Sequence, residues 1–456
     1  MRLSGFPLLV ASSLVLAVAA GADTRPAYGG TLHVSVGIAP RSLDPADTSE
    51  PDSIGRRNLM QLMFDTLLTV NSQGRLQPAL ATAWQAEPGN QRWHFSLRNH
   101  VHFHDGSLLT PEAVAASLRT ANPGWKVLAA ADSVVVECDA PAPDVAAQLA
   151  RTRNGIAKRS TARNPIGSGP FYITDFQAGK KLALAALENY WGGRAYVDAI
   201  EIELGRNGRD QLIALDLGKA DIAEVPPEQA QRAAGEGRRL VTSAPVELMA
   251  LVFAHDPQSQ DESKLRQVLA LSIDRASIEN VVLEGEGEPS GAILPNWVSG
   301  YAFVFPEEQN LLRARQLRSE VRQAPAWDLA YDGSDSLARV IAERIALNAR
   351  DAGILLQPGV APGAALRLLR IPLASVDPRI ALASVAGFAG LPAPRFGVGS
   401  GDEIYQAENA MLETHRVIPL FQLPACYVLS PSVQGASQGR AADWHLEDVW
   451  LKSKLP

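Results

Sequence analysis

The sequence predicts an α/β protein built from more than one domain. Three observations carry this. The chain has 456 residues, enough for two or more domains with sizeable cores. Stretches with strand-like alternation and stretches with apolar residues at helical spacing follow one another along it. Hydrophobic residues make up 46% and charged residues 20%, the proportions of a globular chain rather than a disordered or membrane-embedded one.

The N-terminus carries Arg2 and then a largely apolar run, Phe6–Ala20, interrupted only by Pro7, Ser12 and Ser13. Ala20-Gly21-Ala22 fits a small-x-small cleavage site, with Ala17-Val18-Ala19 competing. This pattern is that of a secretory signal peptide over residues 1–22, too short for a good membrane anchor. No cysteine stands near it, so a lipid anchor is not expected. No later run of about 18 apolar residues follows, so the mature chain is not expected to be membrane-embedded. The net charge of −7 argues against nucleic acid or an anionic membrane as partner.

Taken in order, Tyr28–Gly37 (YGGTLHVSVG) alternates like a strand, and Ala39–Asp47 (APRSLDPAD) follows as a loop. Arg56–Val70 (RRNLMQLMFDTLLTV) has apolar residues at helical spacing, and the chain turns at Asn71–Gly74. Gln77–Trp84 and Arg92–Arg98 lead into Val101–Ser107 (VHFHDGS). Thr110-Pro111-Glu112 opens a helix: Thr as N-cap, Pro in the first helical position, an acid in the first turn. Gly167 and Gly169 bracket a small residue before Pro170, which reads as a tight loop with exposed backbone entering an extended segment, Phe171–Phe176. Trp191-Gly192-Gly193 turns the chain again. Asp210–Asp221 holds a helix ending at Gly218. Glu247–Ala254 (ELMALVFA) is an apolar strand and Lys264–Asn280 a strongly amphipathic helix. Ala326–Asp332 reads as a strand and Ser336–Ala352 as a helix. There is no internal repeat and no low-complexity linker.

Together these phrases resemble the oligopeptide/dipeptide-binding family (family 5) of periplasmic solute-binding proteins, which serve peptide and nickel ABC importers. GSGPFYITDFQAGKKLAL with ENYWGG is similar to the central segment of that family. A first strand, then SLDP, a helix ending FDTL, PALATAW and FHDG before a Thr-capped helix are similar to its N-terminal signature. KLRQVLALSIDRASIEN resembles the helix that sits where such chains cross to the second lobe, and IPLFQLPACYVLS the strand that returns to the first. The resemblance is dense from Tyr28 to about Tyr301, and Arg379–Gly401 is shorter than the family pattern. It implies a two-lobed periplasmic-binding-protein fold (type II, cluster C), with mixed sheets flanked by helices and an extra N-terminal subdomain. The implied division is lobe I at 23–68, 164–258 and 423–456, an inserted subdomain at 69–163, and a shortened lobe II at 259–422.

The resemblance also implies that solute is held in a cleft between lobes that close by a hinge. In peptide-binding relatives a loop after the first strand and a strand near the crossing pair with the peptide backbone. Here these positions are Thr48–Asp52, centred on Ser49, Glu50 and Pro51, and the strand residues Leu248, Met249 and Ala250. Such relatives place an aromatic and an Asp shortly before a D-P, and that Asp holds the ligand's amino terminus. The D-P stands here as Asp377-Pro378, but the acid's place is Ala374 and the aromatic's lies near Ile371. A buried ammonium without a carboxylate partner is costly, so a neutral, apolar or capped solute is expected rather than a simple peptide. The alternative, in which Asp377 or Asp402 supplies the acid from a shifted position, stays open. Trp191 and Trp297 fit a core better than a cleft.

His94, His100, His102 and His104 cluster in sequence, but no acid or cysteine stands at a ligand spacing, so neither a metal site nor a cofactor is expected. Cys138 and Cys426 either pair in an oxidising compartment or sit as two separate buried thiols. No nucleophile elbow and no H-E-x-x-H motif is apparent. The expected function is therefore a non-enzymatic periplasmic receptor, working as a monomer, that delivers a peptide or related small solute to ABC permease subunits. A degenerate cleft used for protein sensing and a secreted hydrolase are the alternatives.

Overall fold

The computed structural model describes residues 25–71, 73–159, 164–396, 402–437 and 439–452. The expected signal peptide lies outside them. An eleven-stranded mixed sheet forms the spine. Its order is Leu356–Gly359, Trp327–Ala330, Leu366–Pro372, Arg239–Phe253, Val417–Leu429, Ile222–Val225, Thr31–Ser35, Ala199–Glu203, Lys181–Ala186 and Phe171–Gln177, with Glu288–Pro289 pairing to Val417–Leu429. Thr31–Ser35 is parallel to both its neighbours, whereas Arg239–Phe253 is antiparallel to both of its own.

Two long strands, Arg239–Phe253 and Val417–Leu429, run side by side through the whole sheet. Their ladder pairs Arg239–Thr242 with Cys426–Leu429, shifts register on either side of Pro245, which faces Pro424, and resumes with Glu247 opposite Leu423. Proline has no N–H to give a ladder and is tolerated at such a bulge, where the strand bends. The break divides the sheet into two lobes. On the second lobe's side Leu248, Ala250 and Val252 face one apolar cluster, with Leu382 and Val385, while Met249, Leu251 and Phe253 face another, with Leu269 and Ile341. The strand reads as an unbroken apolar run because both of its faces are covered. The first lobe's core gathers Leu32, Val34, Leu59, Phe171, Leu184 and Ile202.

The segment between these parts of the first lobe builds its own four-stranded antiparallel sheet, in the order Ala81–Ala86, Arg92–Leu97, Ser133–Glu137, Lys126–Ala129. The helix Pro111–Ala121 lies against it, with Val114, Ala115 and Leu118 in the shared core. Thr110 caps that helix, its hydroxyl accepting from Ala113 N at 3.3 Å.

Three sequence expectations change in the fold. The helical pattern of Arg56–Val70 splits: the helix is Ile54–Met63, and Leu68–Val70 is a strand paired to Leu76–Pro78. The helix stops because Asp65, two residues on, is drawn into a buried cluster. Its carboxylate accepts from Tyr190 Oη at 2.7 Å, Trp191 Nε1 at 2.9 Å and Ser168 Oγ at 2.9 Å. The loop holding Gly167 and Gly169 is buried rather than exposed, because it lies against the end of that same helix. A Cβ at Gly167 would collide with the Met63 carbonyl oxygen, and one at Gly169 would lie 2.6 Å from the Met63 carbonyl carbon. The amphipathic stretch Lys264–Asn280 is two helices, Gln260–Ser272 and Arg275–Val281, because Asp274 caps the second by accepting from Ser277 N at 3.0 Å.

Candidate functional site

A cavity of about 390 Å³ lies where the two lobes and the inserted subdomain meet. The first lobe supplies the loop Pro45–Asp52 and the start of the helix Ile54–Met63, including Arg56, Arg57 and Gln61. The subdomain supplies Thr69, Val70 and Ala150–Arg153, the second lobe Val246, Leu373–Val376 and Phe388, and the C-terminal segment Ala441 and Asp443. Leu76 and Ala147 of the subdomain pack on Ala374 and Ile380 of the second lobe, closing one side.

The wall is mixed, with apolar side chains beside a cluster of charged ones. Asp52 and Arg57 form a two-bond pair, with Oδ1 accepting from Nε at 2.7 Å and Oδ2 from Nη2 at 2.9 Å. The remaining Nη1 of Arg57 donates to the carbonyl of Leu373 in the second lobe. Burial works to raise the Asp52 carboxyl, but Arg57, helped by Arg151 and Arg56, outweighs it and holds the group below its ordinary value. Burial lowers the Arg56 guanidinium and pushes that of Arg151 down to about 10. Val246, Leu373, Ala374, Val376 and Phe388 give a mostly apolar side, and the arginines come from the helix Ile54–Met63 and from Arg151 and Arg153.

The sequence-chosen residues fare unequally. Glu50 and Pro51 line the cavity, together with Thr48 and Asp52. Ser49 is exposed and donates its hydroxyl to Asp47 Oδ1 at 2.7 Å. Leu248, Met249 and Ala250 are buried and lie mid-strand, between Leu366–Pro372 and Val417–Leu429. Their backbone faces those two ladders, with a register shift between Met249 and Ala250 on the side of Val417–Leu429. The residue of that strand that reaches the cavity is Val246. Asp377 does not line the cavity. It caps the helix Pro378–Ala389, accepting from Arg379 N at 2.9 Å and Ile380 N at 3.2 Å. Ala374 does line it, so no acid reaches the cavity from the segment before Asp377-Pro378.

The sequence reading missed Arg56, Arg57, Gln61, Arg151, Arg153 and Asp443. The signal for two of them was present: Arg56-Arg57 is a charged pair in the first turn of an otherwise uncharged helix. Both tryptophans serve packing. Trp191 is tied to Asp65 and stacked under Arg98, whose guanidinium carbon is 4.4 Å from the ring centroid, and Trp297 donates to Pro245 O at 2.8 Å. Cys138 and Cys426 are both free thiols. His104 bonds to Gly169 O at 3.0 Å and His94 to Glu87 at 2.7 Å, so the two face different partners. Among the described residues, His445, Glu447 and Asp448 bring ligand atoms within 4.8 Å of one another, all from one short turn. The letters G-x-S-x-G occur at Gly435–Gly439, but the described residues there form an irregular loop with no helix after Ser437, not the strand–turn–helix that exposes a nucleophile. No helix among the described residues is long and apolar enough to cross a membrane.

Known proteins match this arrangement. The chain is 22% identical to the nickel-binding protein NikA of Staphylococcus aureus over 357 residues, covering 74% of this chain and 71% of that one. It is 25% identical to the probable di/tripeptide-binding protein 5 of Pseudomonas aeruginosa over 374 residues, 70% of this chain and 69% of that one. The crystal structure of NikA from Brucella suis in complex with Fe(III)-EDTA superposes with a TM-score of 0.80 at 18% identity, covering 93% of this chain and all of that one (100%). The family model for the middle region of the bacterial extracellular solute-binding proteins, family 5, matches residues 75–358, more than half of the chain. On that match and this two-lobed fold, the chain belongs to the bacterial extracellular solute-binding proteins of family 5.

Proposed function

We propose that this protein is the periplasmic receptor of an ABC importer, which captures a peptide or related small solute between its lobes, delivers it to the permease subunits and performs no chemistry. The observation that carries this reading is the cavity of about 390 Å³ shared by both lobes and the subdomain. Its volume falls within the roughly 300–1,000 Å³ of small-molecule sites, toward the lower end. Two strands bent at Pro245 and Pro424 join the lobes in the sheet, which suits opening and closing about that bend. We take the bend as the lobe junction, with the subdomain inserted between two parts of the first lobe. The nickel-binding and di/tripeptide-binding relatives support a transport role without naming the solute. Export by the N-terminal segment and action as a monomer belong to the same reading.

The test is native mass spectrometry of protein purified from the periplasm without refolding, paired with small-angle scattering before and after ligand removal. A co-purified small molecule whose removal expands the particle is the expected result. A chain that carries no ligand and does not change shape with peptides, organic acids or metal chelates would remove the receptor reading.

A further inference from the structure

The geometry points to a pH-sensitive latch at the lobe junction: four carboxylates from both lobes converge on one guanidinium, Arg370, and the lobes close more readily as the solution turns acidic. This rests on the receptor reading and adds a control on its closure.

Arg370 lies on the second lobe's strand Leu366–Pro372. Its Nε donates to Glu247 Oε2 at 3.0 Å, and its Nη2 to the same oxygen. Glu247 resumes the long strand just past the bulge at Pro245. The Nη1 of Arg370 stands 3.6 Å from Asp335 Oδ2. Asp335 caps the helix Ser336–Asp351, its Oδ1 accepting from Ala338 N at 3.0 Å. Burial works to lower the Arg370 guanidinium, but Glu247, Asp335 and Glu228 outweigh it, so the group stays charged.

Two further carboxylates come from the first lobe, within range of this cation's charge. Glu224 stands on the strand Ile222–Val225, and its Oε2 accepts from Gly37 N at 2.9 Å. Glu228 stands in the first turn of the helix Pro227–Gly235, which packs on Cys426 and Val428 of the long return strand. Its Oε2 is cut off from solvent and has no hydrogen bond. With the lobes together, Glu224, Glu228, Glu247 and Asp335 therefore share the single cation Arg370, in half-buried surroundings. Carboxylates in excess of their counter-charge, and out of water, favour the protonated form.

The other groups around them do not make up the missing positive charge. Arg370 favours the ionised form of Glu228, while Asp335 and Glu284 oppose it. Glu284 is itself held by Arg232 Nη2 at 3.0 Å, and Glu286 accepts from Gln231 Nε2 at 2.8 Å. At Glu224, Glu247 opposes ionisation and Arg370 favours it. Tyr427 lies opposite Glu224 in the ladder, with Cys426 beside it. Burial pushes the Cys426 thiol up to about 12 and the Tyr427 phenol up as well, so both stay neutral. Burial is also the largest cause at Glu224 and Glu228, and it holds both carboxyls above their ordinary 4.5. When the lobes part, the two groups return toward water and toward that ordinary value. The closed form thus holds protons more tightly than the open one. Its advantage is complete below 4.5 and is lost as pH rises through the raised values.

The experiment is small-angle scattering of the full mature chain, stripped of bound molecules, from pH 8 to pH 5 and extrapolated to zero concentration. The radius of gyration is expected to fall with pH, the closed-to-open ratio rising about tenfold over that range. Glu228→Gln should be more compact than the parent at pH 8 and respond less to pH. Glu224→Gln should do the same, and it stands in if the first variant fails to fold. Glu112→Gln, at an exposed acid on the subdomain helix Pro111–Ala121, should behave as the parent does. Asp65 titrates in the same range but is held by Ser168, Tyr190 and Trp191, away from this cluster. A pH response that survives intact in Glu228→Gln and Glu224→Gln would therefore overturn the inference, as would a parent radius that ignores pH. Casein hydrolysate added at pH 8 separates the two readings. Contraction with these peptides in a chain that ignores pH removes the latch and leaves the receptor, whereas a chain that responds to neither removes both.

Discussion

Asp52 and Arg57 lock together on the cavity wall through two bonds, 2.7 Å to Oδ1 and 2.9 Å to Oδ2, and this lock aims the third guanidinium nitrogen at Leu373 across the cleft. One lobe thus holds a rigid fork whose free tine grips the backbone of the other. A charge-assisted hydrogen bond of this kind contributes about 1.5–3 kcal/mol, less what solvent screens at the half-buried Asp52. It is present only when the lobes are together.

Arg57→Ala should therefore loosen closure. Small-angle scattering of the ligand-free variant should show a larger radius of gyration than the parent, and affinity for any captured solute should fall about tenfold. Arg57→Lys should recover part of this, because it restores charge without the fork. Unchanged scattering and affinity in Arg57→Ala would show that the bridge does not hold the lobes.

Asp65 predicts a pH dependence. Burial lifts its carboxyl to about 6, against the hydrogen bonds from Trp191, Tyr190 and Ser168. The folded chain then holds this proton more tightly than the unfolded chain does. The contribution of the group is complete below the unfolded value of 3.8 and falls away as pH rises to about 6, on the order of 3 kcal/mol in all. Asp65→Asn does not titrate, so its melting temperature should vary less between pH 4 and pH 6 than that of the parent. It should also be lower overall, since the amide nitrogen takes the place of one accepting oxygen and cannot accept as that oxygen did. Parallel melting curves for the two chains across that range would refute the assignment.

Glycine at 167 is required by contact with Met63. Gly167→Ala should cost about 1–3 kcal/mol by overpacking, read as a drop in the denaturant midpoint. Gly124→Ala, where a Cβ meets nothing within 4 Å, is the control and should be close to neutral. Equal midpoints would mean that the loop moves aside freely.

Asp377 separates two roles. As a helix cap, its replacement by Ala should cost about 1 kcal/mol of stability, while Asn, which also caps, should cost little. Neither change should alter solute affinity beyond what stability explains. Loss of binding in a stable Asp377→Asn chain would instead make Asp377 the displaced amine anchor.

The architecture was legible where local chemistry and pattern agreed. Thr110-Pro111 capped the helix it was expected to cap, and Glu247–Ala254 was seen as a strand because both faces of it are apolar. The same cap signal stood at Asp377-Pro378, before the helix Pro378–Ala389, but was overlooked beside the family's use of that dipeptide as a landmark. The end of the helix at Met63 was not legible, because the partners of Asp65 lie more than a hundred residues away at Ser168, Tyr190 and Trp191. The candidate site was half legible. The loop holding Glu50 and Pro51 was found by position, whereas Leu248–Ala250 was assigned to the cleft although strands flank it on both sides.

By itself the sequence determined the family, the α/β class and the order of the elements, since these follow from hydrophobic period, capping residues and turn chemistry read along the chain. Only the tertiary structure decided what the cleft offers a solute. The helix bearing Arg56 and Gln61, the segment holding Arg151 and the segment holding Ala374 lie far apart in the chain and line one cavity. That juxtaposition exists only once the two long strands have brought the lobes together.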